Sequence, residues 1–318
     1  MRSTREAYGA ALCELGATHP FYVLDADLAK ATRTEEFQHA YPRRFFDIGI
    51  AEGDLMGTAA GMASCGCTVF ASTFAMFAAG RAYEQVRNAI AYNRLNVKIG
   101  ATHGGVLIGE DGASHQCIED IALMRVLPNM RVLAPCDERS TRWAVETALM
   151  TDGPFYLRFN RHAVPDVYTE RSIAELRLGK GTLLTQGDDV ALLAVGDMVA
   201  ECLQAANLLR AQEISAAVAD MCSVKPLDSE LICRLAAKTG LVVTAEDHNV
   251  IGGLAGAVSE ALAESGTPAR LIRIGLPDTF GRSGTRAELA DHFGLNAAHI
   301  AQVCLEQQRK EKVYADDI

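Results

Sequence analysis

The chain has 318 residues, 49% of them hydrophobic and 22% charged. At roughly 150 residues per domain this supports sizeable cores in two domains, and it excludes general disorder. Its 40 acidic residues outnumber 30 basic ones for a net charge of −10, which argues against a general binder of nucleic acid or of anionic membranes.

The N-terminal stretch carries Arg2, Arg5 and Glu6 among interrupted apolar positions, unlike the continuous run of a signal peptide. Its spacing predicts a helix over 5–17, ending near Gly16. No apolar run reaches the roughly 18 uncharged residues a membrane span needs. The nine cysteines are scattered. Cys65 and Cys67 are close, but they lack ordinary C-x2-C ligand spacing and no second pair follows, so no metal site is expected. Buried thiols in a reducing cytoplasm are the expected state.

A strand is predicted over 21–28, ending in carboxylates, and a short one over 44–48. IAEGDLMGTAAGMAS follows as a helix of small residues. TVFAS at 68–72 is a strand, 76–92 a helix exposing Glu84 and Asn88, and NVKIGAT at 96–102 a strand. A glycine-rich polar loop runs from His103 to His115. A helix over 117–127 stops at Pro128, a strand covers 130–135, and a helix follows with Asp137 as N-cap. A strand over 154–159 closes this half.

The stretch 164–186, with Pro165 and no firm period, reads as a linker between domains at 1–163 and 187–318. Strand and helix patterns then resume through DVALLAV, MVAECLQAANLLRAQ and SAAVADM. A helix ends on Gly240, a suitable C-cap. LVVTAED is a strand with acidic residues at its C-terminal end. The helix GGLAGAVSEALAESG and the strand ARLIRIG follow. The tail from Glu288 holds one or two helices and a charged, frayed end around Lys310 to Asp317. The expected fold is α/β: two domains, each a mostly parallel sheet flanked by helices.

Four places stand out chemically. Glu52 opens the small-residue helix, where it either serves a ligand or simply stabilises the helix dipole. The loop 102–115 holds His103, Asp111 and His115 among Gly104, Gly105, Gly109 and Gly112, at a sheet edge where ligands bind. Arg158 and Arg161 present guanidinium groups suited to phosphate, although a lone arginine there is ordinary surface. Phe74 and Phe77 form either a ring-stacking wall or plain core. The chain has no G-x-x-x-x-G-K-[ST], no G-x-S-x-G and no G-D-G followed by distant asparagines.

DIGIAE at 47–52, STFAMF at 72–77, GEDGASHQ at 109–116, PNMRVLAP at 128–135 and EDHNVIGG at 246–253 occur in this order. Together they resemble the transketolase family, above all the stand-alone carboxy-terminal subunit of split transketolases, with deoxyxylulose-phosphate synthases as relatives. The resemblance covers about 3 to 310. It implies a pyrimidine-binding domain and a carboxy-terminal domain, while the family's diphosphate- and magnesium-binding domain lies on an N-terminal partner subunit.

On that resemblance, thiamine diphosphate binds between the subunits and Mg2+ (or Ca2+) is held mainly by the partner, in an α2β2 assembly acting on sugars. Glu52 matches the glutamate that hydrogen-bonds the pyrimidine ring, Phe74 and Phe77 its aromatic wall, and Asp27 an aspartate near the cofactor. His103, Asp111 and His115 match substrate-binding positions, with His115 and His103 relaying protons. Arg161 and Arg5 match phosphate-binding arginines. The chain departs from the family pattern at Gly53 and Asp54, and at Arg282 where an acid is common. The implied reaction is ketol transfer from a ketose to an aldehyde. The alternatives are a β subunit of a 2-oxo-acid dehydrogenase or decarboxylating synthase, and a non-catalytic partner-binding homologue.

Overall fold

The fold is that of a computed structural model describing residues 1–316, with side chains through residue 309. The expectation for Lys310 to Asp317 falls on side chains and residues outside that description. Six strands come from the first half: β1 Tyr22–Asp25, β2 Phe45–Asp47, β3 Val69–Phe74, β4 Val97–Thr102, β5 Arg131–Leu133 and β6 Phe155–Arg158. Six come from the second: β7 Thr182–Thr185, β8 Val190–Ala194, β9 Ala216–Asp220, β10 Ser223–Lys225, β11 Leu241–Asn249 and β12 Arg270–Leu276.

The first sheet runs β10-β5-β6-β4-β3-β1-β2 and the second β12-β11-β8-β9-β7. Each is parallel except for one antiparallel edge strand, β10 on β5 and β7 on β9. The central strands β3, β4 and β8 are buried at every position. That burial accounts for their apolar or small-residue character, because helices cover both faces of a parallel sheet. The exception is Lys98 in β4, whose buried ammonium donates to Thr151 O and Gly153 O.

Two of these strands are findings beyond the sequence pattern. β10 leaves the second half to join the first sheet. β7 lies in the stretch expected as linker, which also holds a 3-10 turn at Ser172–Glu175. One apolar cluster runs from Leu55 and Ile99 through Met130 and Val224 to Leu193 and Leu231, so the two halves share a core.

Local rules explain the helix ends. Ser3 and Glu6 form a capping box at the start of Thr4–Gly16, and Asp137 and Ser140 form another before Glu138–Met150. Gly240 ends Ser229–Thr239 in the left-handed region at φ 67°. The helix expected over 76–92 differs in detail. It has π-helical segments at Phe77–Arg81 and Val86–Ala91 around a short α turn. Each widened turn rotates the side chains that follow it. The thiols also depart from expectation: Cys65 is exposed, while Cys13, Cys67 and Cys233 are half-buried.

Candidate active site

The C-terminal ends of β1, β3, β4 and β6 converge on one edge of the first sheet, where a parallel sheet places its ligands. β3 delivers Phe74 to that edge, and Phe77 opens the first π-helical segment just beyond. Their rings stack 5.7 Å apart at 11°. Neither ring is wholly in the core. Phe74 is buried, Phe77 is half-buried, and both meet histidines of the glycine-rich loop. His103 stacks on Phe74 at 3.8 Å, and His115 stands edge-on to Phe77 at 5.5 Å.

The loop reaches this position through unusual backbone angles. His103 itself has φ 60°, and Gly105, Gly109 and Gly112 have φ between 78° and 95°. Glycine adopts such angles without a Cβ penalty. The turn aims the buried His103 ring back at the aromatic pair. Its Nδ1 lies 2.9 Å from Thr102 Oγ1 and its Nε2 3.3 Å from Arg5 Nη1. Arginine has only donors, so Nε2 is the acceptor and the ring proton sits on Nδ1. Burial first, then the cations Arg5 and Arg161, push the His103 pKa down to about 3. The ring is therefore neutral at ordinary pH.

Arg5 and Arg161 border the same space from the first helix and from the segment after β6. Arg161 Nη1 donates to Ile108 O at 2.8 Å, and lies 3.2 Å from Asp111 and 3.5 Å from Glu110. Arg5 donates to Ala31 O at 3.0 Å, and its buried Nε has no partner. Burial, then Arg33 and Arg161, lower the Arg5 pKa, although a guanidinium stays charged. Five residues named from sequence thus form one cluster with Phe74 and Phe77: Arg5, His103, Asp111, His115 and Arg161. An unmet guanidinium N–H beside a half-open ring of cations suits an anionic group.

Glu52 begins the helix Glu52–Ser64, whose first turn has no side-chain cap. It is only 3% exposed, yet among the described residues its carboxylate makes no hydrogen bond. Its charged neighbour is Arg81, with Nε 4.0 Å away on a side chain that is itself exposed. Gly53 leaves space over Gln85, and Asp54 faces outward. The carboxylate tip is not sealed off, so its oxygens are open to accept from an incoming donor. Glu52 and the parallel rings of Phe74 and Phe77 therefore fit half of a site for a polar aromatic cofactor ring.

Asp27 stands apart. It is exposed at the end of β1 with φ 60°, and its backbone N–H donates to Asp47 at 3.0 Å. Its side chain joins no contact of the histidine cluster. Arg158, read as a possible phosphate ligand, is buried beneath the loop and bonded to Asp120 at 2.8 Å. Arg81 is a neighbour of Glu52 that the motif reading passed over. Its signal was its place four residues after Phe77 in the same helix. Among the described residues, no three His, Cys, Asp or Glu side chains converge to hold a metal ion. No helix there is long and apolar enough to cross a membrane.

Comparison with known proteins assigns both halves of the chain to one family. Residues 1–167 match the family model for the transketolase pyrimidine binding domain, and residues 179–300 match the transketolase C-terminal domain. The chain is 45% identical over 311 residues, 98% of each chain, to a Methanocaldococcus jannaschii protein that carries the name of a transketolase C-terminal section. It is 42% identical to a 6-deoxy-6-sulfo-D-fructose transketolase subunit of a Clostridium species, over 89% of this chain and 87% of that one. Among solved structures, a split gene transketolase described as an inactive β4 tetramer superposes with a TM-score of 0.88. That chain is 50% identical, with 96% of this chain and 98% of that one covered.

Proposed function

This chain belongs to the transketolase family, and from that premise we propose that it is the C-terminal subunit of a split, thiamine-diphosphate-dependent transketolase. It moves a two-carbon ketol unit from a ketose to an aldehyde acceptor. The observation that carries this reading is Glu52, almost wholly buried next to Arg81 of the helical segment that Phe77 opens, together with the stacked rings of Phe74 and Phe77.

Thiamine diphosphate, when bound, supplies the electron sink for cleaving the carbon–carbon bond. Glu52 would hold a proton between its carboxylate and the cofactor's pyrimidine ring nitrogen. Phe74 and Phe77 would face that ring, and Asp27, outside the histidine cluster, would approach it from the end of β1. Mg2+ (or Ca2+) and the diphosphate belong to an N-terminal partner subunit, because this chain has no G-D-G segment with following asparagines. The expected assembly is α2β2. The split gene transketolase described as an inactive β4 tetramer supports self-association of the isolated subunit without turnover.

Of the two histidines expected to relay protons, His103 stays neutral with Nδ1–H on Thr102 and Nε2 on Arg5, so it meets a substrate hydroxyl only through Nε2, by releasing Arg5. Proton movement falls to His115, half-buried at the rim and bonded to Ser114 at 3.0 Å. Asp111 accepts from a substrate hydroxyl. Arg161 and Arg5 hold a distal anion, which suits a phosphate or a sulfonate such as the relative's name implies for its substrate.

The test is reconstitution with the partner that carries the diphosphate-binding half, thiamine diphosphate and Mg2+. Phosphorylated, sulfonated and plain ketoses are offered as donors, with 2-oxo acids as a separate arm. Aldose release from a ketose is the expected result. A complex that forms but oxidises or decarboxylates 2-oxo acids while leaving every ketose intact contradicts the reading.

A further inference from the structure

The loop that carries His103, Asp111 and His115 belongs to the first domain, but its shape is held from the second. Asp247, near the end of β11, places one carboxylate oxygen 2.9 Å from Val106 N and the other 3.0 Å from Leu107 N. Asn249, two residues on, donates its backbone N–H to Ile118 O at 2.8 Å. Gln116 Nε2 bridges Val106 O and Gly109 O, each at 3.2 Å, to Arg282 O of the second domain at 2.8 Å.

The fit around Asp247 is close. A Cβ on Gly105, whose φ is 84°, would overlap the Asp247 carboxylate, and one on Gly104 would overlap the Arg158 guanidinium. Arg158 Nη2 donates to Asp247 O at 2.8 Å, while its Nε is committed to Asp120. Asp247 is buried, and burial raises its pKa to about 6 against the opposing pull of the Arg158 charge and the two amides. Two glycines without side chains and one carboxylate on consecutive amides form a built cradle for a turn three residues from His103.

We infer that Asp247 is a positioning residue: by binding the Val106 and Leu107 amides it sets the turn that places His103 and His115 against Phe74 and Phe77. The second domain, which among the described residues contributes no side chain to the histidine cluster, acts on the site through this contact. The role for catalysis rests on the proposed transketolase reading, whereas the ordering of the loop does not.

The experiment uses the full chain and needs no substrate. Hydrogen–deuterium exchange with mass spectrometry is compared for the parent, Asp247→Asn, Gly105→Ala and, as a distant control, Asp228→Asn. Asp228 caps Ser229–Thr239, and its hydrogen bonds go to Lys180, Gly181 and Leu231, none of them in the loop. Asp247→Asn retains the shape but turns a donor toward one amide. Exchange in the peptide containing Val106 and Leu107 should rise about tenfold or more while the sheets keep their protection. Gly105→Ala, which pushes the carboxylate from the other side, should do the same should Asp247→Asn fail to fold. Asp228→Asn should lower the melting temperature and leave that peptide unchanged.

In the reconstituted complex, Asp247→Asn should lower kcat by about tenfold to a hundredfold, with KM moving much less. Loop exchange within about twofold of the parent in both site variants overturns the inference, as does an equal rise in the control. A parent complex without ketol transfer overturns the proposed reaction instead, and leaves the exchange result standing.

Discussion

Arg5 Nη1 stands 3.3 Å from Nε2 of His103, and the imidazole's other nitrogen faces Thr102 at 2.9 Å. A group that is buried and set against a guanidinium does not take up a proton at ordinary pH. Its pKa lies near 3, so the His103 charge is absent from about pH 5 upward. A pH profile of kcat/KM between about 5 and 9 should therefore contain no limb from His103. His103→Asn should lower the rate while leaving the pH midpoints in place. A midpoint that disappears in this variant contradicts the assigned neutral ring.

Arg161 is balanced by Asp111 and Glu110 within 3.5 Å. An incoming anion must share that guanidinium with two carboxylates, so the arginine confers selectivity only for donors that carry an anion. Arg161→Gln should raise KM about tenfold to a hundredfold for a phosphorylated or sulfonated ketose, and by much less for a plain one. Equal losses on both classes of donor would assign Arg161 to the loop alone, through Ile108 O.

Asp137 accepts from Ser140 N, Val167 N and Tyr168 N at 2.8, 2.9 and 2.8 Å. It therefore caps a helix and pins the start of the interdomain segment at once. Asp137→Ala leaves those amides without an acceptor in a buried setting. The expected cost is about 3–5 kcal/mol of unfolding free energy. Chemical denaturation reads this directly, and a loss below about 1 kcal/mol would mean water replaces the carboxylate.

Asp220 lies at the domain seam with Tyr168 Oη 2.7 Å and Cys136 Sγ 3.6 Å from one carboxylate oxygen, while the other has no partner. Burial, the largest influence, pushes its pKa up to about 7. The native chain thus binds this proton more tightly than the unfolded chain does. Between about pH 4 and 7 the native state carries more protons, so this residue's contribution to stability falls as pH rises, by at most about 1.4 kcal/mol per pH unit. Asp220→Asn should flatten that slope in denaturation measured from pH 5 to 8. An unchanged slope contradicts the raised pKa.

What the sequence made legible follows the range of the interactions. Asp137 and Gly240 announce themselves because caps depend on a few neighbouring residues. The buried strands β3 and β8 show as apolar or small-residue runs, and β4 does so apart from Lys98. β10 does not, because three residues without a period become a strand only where β5 offers an edge. The widened turns at Phe77–Arg81 were equally hidden, since apolar spacing marks a helix without fixing its hydrogen-bond register. In the site, Glu52, His103 and His115 were visible through their motifs. Asp247 was noticed as an acid ending a strand and as part of EDHNVIGG, without a role, because its partners lie 140 and 141 residues away.

Turnover of the Glu52→Gln variant, reconstituted with the partner subunit and saturating cofactor, addresses the central claim most directly. The amide preserves size and burial but cannot take a proton as the carboxylate does. Ketol transfer should fall by about a hundredfold or more while the complex still assembles and binds thiamine diphosphate. Turnover equal to the parent enzyme would remove Glu52 from the chemistry.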